Sequence, residues 1–152
     1  MKKLLFITSL SVVLVLVLAA CGSADTATTD SVTVLQNYYA ALTAGDLDKA
    51  MSYVADDAVF IDPMGKYVGL EEIRAAYEGQ VNIGGKWEPS NIKDTNGKGR
   101  LVYDFKAFIN DVLVYDGTGL TVVKDGKIIF DGSEFHWKGE CDRDASQSFC
   151  TD

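Results

Sequence analysis

The sequence predicts an α+β domain, with three N-terminal helices packed on one side of a curved antiparallel sheet. Three observations support this fold class. Apolar residues recur at helical spacing from residue 35 to 77, apolar and polar residues alternate from residue 100 onward, and turn signals separate the alternating segments. A sheet that curves over a layer of helices leaves an apolar hollow between the two layers, and small molecules commonly bind in such hollows.

The three predicted helices share a series of apolar residues three or four positions apart. In the first helix the residues on the common face are Leu35, Tyr38, Tyr39 and Leu42. The second helix has the same spacing over residues 47–54, with Gly45 expected to end the first helix and Asp46 to cap the second. The third helix opens after Gly69 and is expected to end at Gly79.

The strands are predicted from alternation and from turn residues. A short strand over residues 58–62 precedes the third helix, and the segment 86–94 is expected at a sheet edge, because Pro89 cannot donate to a ladder. Further antiparallel strands are predicted over residues 100–110, 112–124 and 127–137. The pair Asp125-Gly126 is a strong hairpin signal between the last two.

The N-terminus has the pattern of an export signal. Lys2 and Lys3 precede an apolar run over residues 4–18, and small residues lead to Cys21. This arrangement resembles a bacterial lipoprotein signal, which implies removal of residues 1–20, acylation of Cys21 and a flexible tether over residues 21–29. The alternatives are an ordinary secretory signal and an uncleaved membrane helix, although the run is shorter than the roughly 20 residues that a spanning helix needs. The protein is thus expected in the cell envelope, anchored to a membrane and facing the extracytoplasmic side.

Charge and composition argue against several partners. The chain carries a net charge of −8, and loss of Lys2 and Lys3 with the signal leaves 12 basic and 22 acidic residues, a net charge of −10. Nucleic acid and anionic lipid surfaces both attract clustered Lys and Arg, so neither is an expected electrostatic partner. With one histidine and no Cys-x-x-Cys pair, no metal site and no cofactor are expected.

The two C-terminal cysteines close a short polar segment. Cys141 and Cys150 flank acidic and small residues in a tail that spans residues 141–152. In an oxidising compartment such a pair favours a structural disulfide. A redox-active pair is the alternative, but redox pairs usually have closer spacing and a basic environment.

The stretch "YYAALTAGDLDKAMSYVADDAVFIDPMG", followed by "GLEEIRAAY", resembles the N-terminal half of the ketosteroid isomerase and SnoaL-like proteins of the nuclear transport factor 2-like superfamily. The likeness covers an amphipathic helix, a Gly-Asp junction, a second helix, an Asp-Pro strand end and the helix that opens at Gly69. It implies a cone-shaped α+β fold for residues 30–140. Fold alone does not imply function, because such folds host many activities.

The resemblance also implies roles for individual residues. Asp62 falls where ketosteroid isomerases keep a general base, Tyr38 where they keep an oxyanion donor, and Tyr77 where some members keep a supporting tyrosine. The third catalytic group of that family, a protonated aspartate on a late strand, has its place near Gly119. The acid–base set is therefore incomplete.

Simpler interpretations of the same residues stay open. Asp62 before Pro63 can begin a turn in which its side chain accepts hydrogen bonds from local amides, and Tyr38 can be an ordinary core tyrosine. The large apolar side chains expected to line the hollow or the core are Phe60, Phe105, Phe135 and Trp137. His136, between two of them, is expected to point outward as a surface residue.

Three functions are consistent with these features. The first is a binding domain that holds a small apolar molecule in the central pocket. The second is an isomerase or lyase that abstracts a proton alpha to a carbonyl, with Asp62 as the base and Tyr38 as the donor. The third is an interaction domain that forms a homodimer through the open face of its sheet.

Overall fold

The computed structural model describes residues 30–143, 146–147 and 150 of the chain. Its helices are α1 (Ser31–Thr43), α2 (Leu47–Met51), α3 (Leu70–Asn82) and α4 (Glu134–Arg143). Its strands are β1 (Val54–Asp62), β2 (Gly65–Val68), β3 (Gly85–Asp94), β4 (Arg100–Ile109), β5 (Val112–Lys124) and β6 (Lys127–Ser133). The predicted signal segment, Cys21 and the tether lie outside the described residues.

The predicted fold class is confirmed, because helices pack on a curved sheet in an α+β arrangement. The strand order is β2-β1-β6-β5-β4-β3, and the sheet is open. It is mixed rather than wholly antiparallel, since β1 pairs with β6 in parallel. Hairpin signals report only strands that are close in sequence, and the pairing of β1 with β6 joins segments separated by most of the domain.

The helix boundaries agree with the sequence at one junction and differ at two. Gly45 has a φ of +77° just after α1, and the Asp46 side chain accepts a hydrogen bond from the Lys49 amide at 3.1 Å, as the predicted end and cap require. Helix α2 ends at Met51, so Val54 begins β1 instead of continuing the helix. Helix α3 continues past Gly79 to Asn82, because a single glycine weakens a helix without stopping it.

The predicted turn and edge assignments of the sheet are confirmed. Asp125 and Gly126 have φ angles of 51° and 75°, as a two-residue hairpin of the primed type requires. Pro89 lies on β3, which is the edge strand beyond β4.

The predicted last strand is wrong beyond residue 133, where β6 ends and α4 begins. Ser133 stands immediately before the helix, a position that serine favours, and its hydroxyl is hydrogen-bonded to the His136 ring. His136 is therefore half-buried on a helix rather than pointing outward from a strand. Helix α4 packs on β5, β6 and β1, and so covers part of the sheet face through which a second copy was expected to pair.

A β-bulge on β6 fixes which side chains face the helices. Val122 pairs with Phe130 but Val123 pairs with Ile128, so β6 contains one extra residue between them. Ile128 packs in the main core beneath α1 to α3, whereas Phe130 packs in a second cluster on the opposite face. Because of the bulge, the Asp131 side chain lies on the face of the sheet that α1 to α3 cover.

The second cluster extends to the C-terminal disulfide. Cys141 and Cys150 are bonded, with Cα atoms 5.4 Å apart, and both pack with Trp137 against Phe130 and its neighbours. The predicted structural disulfide is therefore present. None of the described helices has the length and apolar character needed to cross a membrane.

Candidate ligand-binding site

A cavity of about 620 Å³ lies between the helices and the concave face of the sheet. Exposed apolar side chains mark its mouth, with Met64 79% exposed, Val114 58% and Ile83 52%. Aromatic side chains supply much of its wall, and they include Tyr39, Tyr77, Trp87, Tyr103, Phe105 and Tyr115. The hollow that the fold class predicts is therefore present, and it opens to solvent.

Asp131 is a buried carboxylate at the floor of this cavity, with only 5% of its surface exposed. Three hydroxyls donate to its carboxylate. The Tyr39 hydroxyl, from α1, lies 2.9 Å from Oδ2, and the Tyr103 hydroxyl, from β4, lies 2.9 Å from Oδ1. The Thr121 hydroxyl, from β5, donates to Oδ1 as well. Two strands and a helix thus converge on one carboxylate.

The environment of Asp131 shifts its titration toward neutrality. Burial penalises the ionised form and raises the pKa from 3.8 to about 6, with a smaller contribution from the charge of Asp62. The three hydroxyl donors oppose this shift because they stabilise the carboxylate. Burial, followed by the negative charge of Asp131, raises the pKa of Tyr39 and of Tyr103 well above 10, so both phenols keep their protons and donate.

Gly119 on β5 makes the Tyr103 contact possible. It pairs with Tyr103 across the strands, and a Cβ atom at this position would lie 2.5 Å from the Tyr103 ring. The ring occupies the space that any larger residue would need. The resemblance implies a protonated aspartate near Gly119, but the Tyr103 ring fills the space beside this residue. The buried aspartate of this protein, Asp131, comes from the neighbouring strand β6.

Asp62 lies at the rim of the cavity, half-buried at the end of β1. Its Oδ1 atom accepts hydrogen bonds from the Met64 amide at 2.7 Å and from the Gly65 amide at 3.0 Å. The turn described as the simpler interpretation is therefore present, and the same side chain also lines the cavity. Partial burial of Tyr67, together with the charge of Asp62 and a hydrogen bond to it, raises the Tyr67 pKa.

The two candidate tyrosines differ in their access to the cavity. Tyr77 lines the cavity with Asp62, whereas Tyr38 lies behind it and is not among the lining residues. The Tyr38 ring packs edge-on against Phe60 at 6.0 Å and against Tyr77 at 6.3 Å. Among the described residues its buried hydroxyl has no hydrogen-bond partner of normal geometry, and burial followed by the Tyr77 phenol raises its pKa well above 10.

The four predicted aromatic positions separate in space. Phe105 lines the cavity, and Phe60 is fully buried in the core beside it. Trp137 lies in the cluster on the other face of the sheet, where its ring stacks against Arg100 at 5.4 Å. The Phe135 side chain lies outside the described part of the chain.

The sequence patterns do not single out Asp131, Tyr103 or Thr121, and they place Tyr39 only on a helical face. The available signal was an aspartate inside an apolar strand, because a carboxylate that is buried needs partners. Among the described residues, no group of three or more His, Cys, Asp and Glu side chains has an arrangement that could hold a metal ion.

Several solved structures share the nuclear transport factor 2-like fold of this chain. An NTF2-like protein of unknown function from Cytophaga hutchinsonii is 16% identical, with a TM-score of 0.58 over 67% of this chain and 86% of its own. An LEH-like epoxide hydrolase of M. tuberculosis is 19% identical, with a TM-score of 0.60 over 74% of this chain and 90% of its own.

The epoxide hydrolase/cyclase-like enzyme SalBIII, which has a role in pyran ring formation in the polyether salinomycin, is 18% identical. Its TM-score is 0.60 over 67% of this chain and 87% of its own. At sequence level, residues 35–130 match the profile of the SnoaL-like domain, which is more than half of the chain. The chain therefore belongs to the SnoaL-like domain family. No curated protein matches its sequence.

Proposed function

We propose that the protein is a lipid-anchored, extracytoplasmic binding protein whose SnoaL-like domain holds a small, largely apolar molecule in the cavity. The observation that carries this proposal is the cavity itself. Its volume of about 620 Å³ lies within the range of about 300–1,000 Å³ that is common for small-molecule sites, and its wall combines aromatic surface with a few convergent polar groups.

The geometry also suggests how the ligand is oriented. Apolar parts of the ligand gain about 25 cal/mol for each Å² that they bury against the aromatic wall. The polar end lies at the floor, where the Asp131 carboxylate can accept a hydrogen bond from it. Entry is past Met64 and Ile83, whose exposed side chains flank the mouth.

A neighbouring pair of alanines on α3 tests the use of the cavity. Ala76 lines it, whereas Ala75 is exposed and is not among the lining residues. In native mass spectra of gently purified protein, we expect the wild type and Ala75→Phe to retain a small molecule. Ala76→Phe is expected to lose it, because the new ring fills the binding space. Retention by Ala76→Phe, or an empty wild-type protein, would contradict the proposal.

The anchoring part of the proposal rests on the N-terminal pattern and is supported by the disulfide, which is typical of an oxidising compartment. Two or more acyl chains at Cys21 would hold the protein firmly on a membrane, since each buried methylene contributes about 0.8 kcal/mol. We expect the wild type and Cys150→Ser to incorporate a labelled fatty acid, and Cys21→Ser to incorporate none. A Cys21→Ser protein that is labelled as strongly as the wild type would rule out this anchor.

Acid–base catalysis is a second candidate function, favoured by the two carboxylates on the cavity wall. Asp62, as the sequence predicts, or Asp131 would take a proton from the carbon alpha to a carbonyl. The electron pair would pass to the carbonyl oxygen, and Tyr77, which keeps its proton, would donate a hydrogen bond to that oxygen.

The names of two solved relatives, an epoxide hydrolase and an epoxide hydrolase/cyclase-like enzyme, add support for catalysis in a cavity of this kind. If the protein catalyses this proton abstraction, then in deuterium oxide it should speed the exchange of the alpha hydrogens of a ketone such as 4-phenylbutan-2-one for deuterium. Exchange no faster than in buffer would count against this candidate.

A further inference from the structure

We propose that the cavity selects a protonated amine, namely an apolar or aromatic molecule with one cationic nitrogen that pairs with Asp131. This inference rests on the proposed binding function and adds the chemical class of the ligand. It is carried by three features: the charge of the lining, the hydrogen-bonding state of Asp131, and the arrangement of the aromatic rings around it.

The lining residues carry charge of one sign. Asp62 and Asp131 both contribute to the wall, and no Lys, Arg or His is found among the described residues that line it. Lys86, which does not line the cavity, stacks on the lining residue Phe108 at 5.5 Å. That lysine is already paired with Glu88 at 2.8 Å on the exposed side of β3. Within the described part of the chain, the cavity lining is therefore acidic and carries no counter-charge of its own.

Asp131 has one acceptor position left for a ligand. A carboxylate offers about four lone-pair directions, two on each oxygen. Oδ1 accepts from Tyr103 and Thr121, and Oδ2 accepts from Tyr39. Among the described residues nothing else donates to Oδ2, so one direction remains on the side chain that forms the cavity floor. A ligand N–H group would complete the set.

Aromatic rings next to this carboxylate form a continuous wall suited to a cation. Tyr39 lies 6.2 Å from Tyr103 and 5.2 Å from Phe105 between ring centroids, and Phe105 lies 5.9 Å from Tyr115. A cation within about 6 Å of such ring faces is attracted by their quadrupoles, and more strongly when water is excluded. Aromatic faces around a carboxylate can therefore hold both the charge and the apolar body of an amine.

Other ligand classes fit the same cavity less well. An anion would meet two carboxylates and no cation, which is unfavourable at any effective dielectric constant. A neutral ligand would remove water from Asp131 without compensating its charge, and a buried charge is costly unless it is paired. A cation compensates that charge directly.

A shape-matched series tests this inference with purified full-length protein at pH 7.5. The probes are 4-phenylbutylamine, 4-phenylbutan-1-ol and 4-phenylbutanoate, and affinities are measured by isothermal titration calorimetry. We expect the amine to bind at least tenfold more tightly than the alcohol, and the carboxylate to bind most weakly. Equal binding of amine and alcohol would overturn the inference and leave the cavity-binding function standing, whereas no binding by any probe would overturn both.

Two variants with the same change in charge locate the selectivity. Asp131→Asn keeps the shape of the floor and is expected to reduce the ratio of amine affinity to alcohol affinity to threefold or less. Asp57→Asn removes an exposed carboxylate of β1 that does not line the cavity, and it should keep the full preference. A preference that survives in Asp131→Asn, or disappears in Asp57→Asn, would overturn the assignment to Asp131.

Discussion

Between pH 4 and pH 7.5 the wild-type protein is expected to lose about 2 kcal/mol of folding stability relative to the Asp131→Asn variant. The cause is the raised pKa of Asp131, which is about 6 in the folded state against an ordinary value of 3.8. Below pH 3.8 the carboxyl is protonated in both the folded and the unfolded chain. Above pH 6 it is ionised in both, but the folded chain bears the cost of burying the charge.

The contribution of this carboxyl is therefore fully present at low pH and is lost as the pH rises through about 6. The measurement is the free energy of urea unfolding of both proteins at several pH values. Because asparagine does not titrate and keeps the shape of the side chain, pH effects from the remaining acids cancel in the difference. A difference that stays flat across this range would show that Asp131 is not a buried carboxyl of raised pKa.

Gly119→Ala is expected to lower the free energy of unfolding by about 3 kcal/mol. The new Cβ would lie 2.5 Å from the Tyr103 ring, so the ring has to move and its hydroxyl leaves Asp131 and Thr121. Overpacking of a core typically costs about 1–3 kcal/mol, and a lost hydrogen bond to a charged group costs about 1.5–3 kcal/mol. Thermal and urea unfolding would both report the loss.

Two further variants show whether Tyr103 is the cause. In a Tyr103→Ala background the same Gly119→Ala change should cost less than about 1 kcal/mol, since no ring remains to be displaced. Gly79→Ala on α3, where the added methyl has no neighbour within 4 Å apart from the adjacent residues and the backbone of its own helix, should instead stabilise the protein by about 0.5–1 kcal/mol. An equal loss from Gly119→Ala with and without the Tyr103 ring would contradict the packing explanation.

The local features of the fold were predictable because they depend on a few adjacent residues. The apolar face of α1, the Gly45-Asp46 junction and the Asp125-Gly126 hairpin all follow from preferences of backbone and side chain that act within a turn. The parallel pairing of β1 with β6 and the start of α4 depend on contacts between distant segments, and no short pattern contains that information.

The site was harder to predict than the fold, for two physical reasons. On α1, Tyr38 and Tyr39 are neighbours on one buried face, and periodicity cannot decide which ring meets the cavity. On β6, strict alternation would place Phe130 on the same face as Ile128, but the bulge puts them on opposite faces and turns Asp131 inward. A bulge leaves no reliable mark in a single sequence.

The role of Asp62 combines the two interpretations that its sequence context offered. One of its oxygens holds the turn between β1 and β2, and the side chain also contributes negative charge at the cavity rim. That charge adds to the raised pKa of Asp131, so the rim and the floor of the cavity are electrostatically coupled. A ligand cation that neutralises Asp62 would therefore lower the pKa of Asp131.

The central claim is that a buried carboxylate at the cavity floor governs what the cavity binds. Its most direct test is a nuclear magnetic resonance titration of the Asp131 side-chain carboxyl carbon, with and without saturating 4-phenylbutylamine. We predict a midpoint at a pH of about 6 for the free protein, and a lower midpoint with the amine, because a cation stabilises the ionised form. A midpoint at 3.8 in the free protein, or one that the bound amine leaves unchanged, would contradict the claim.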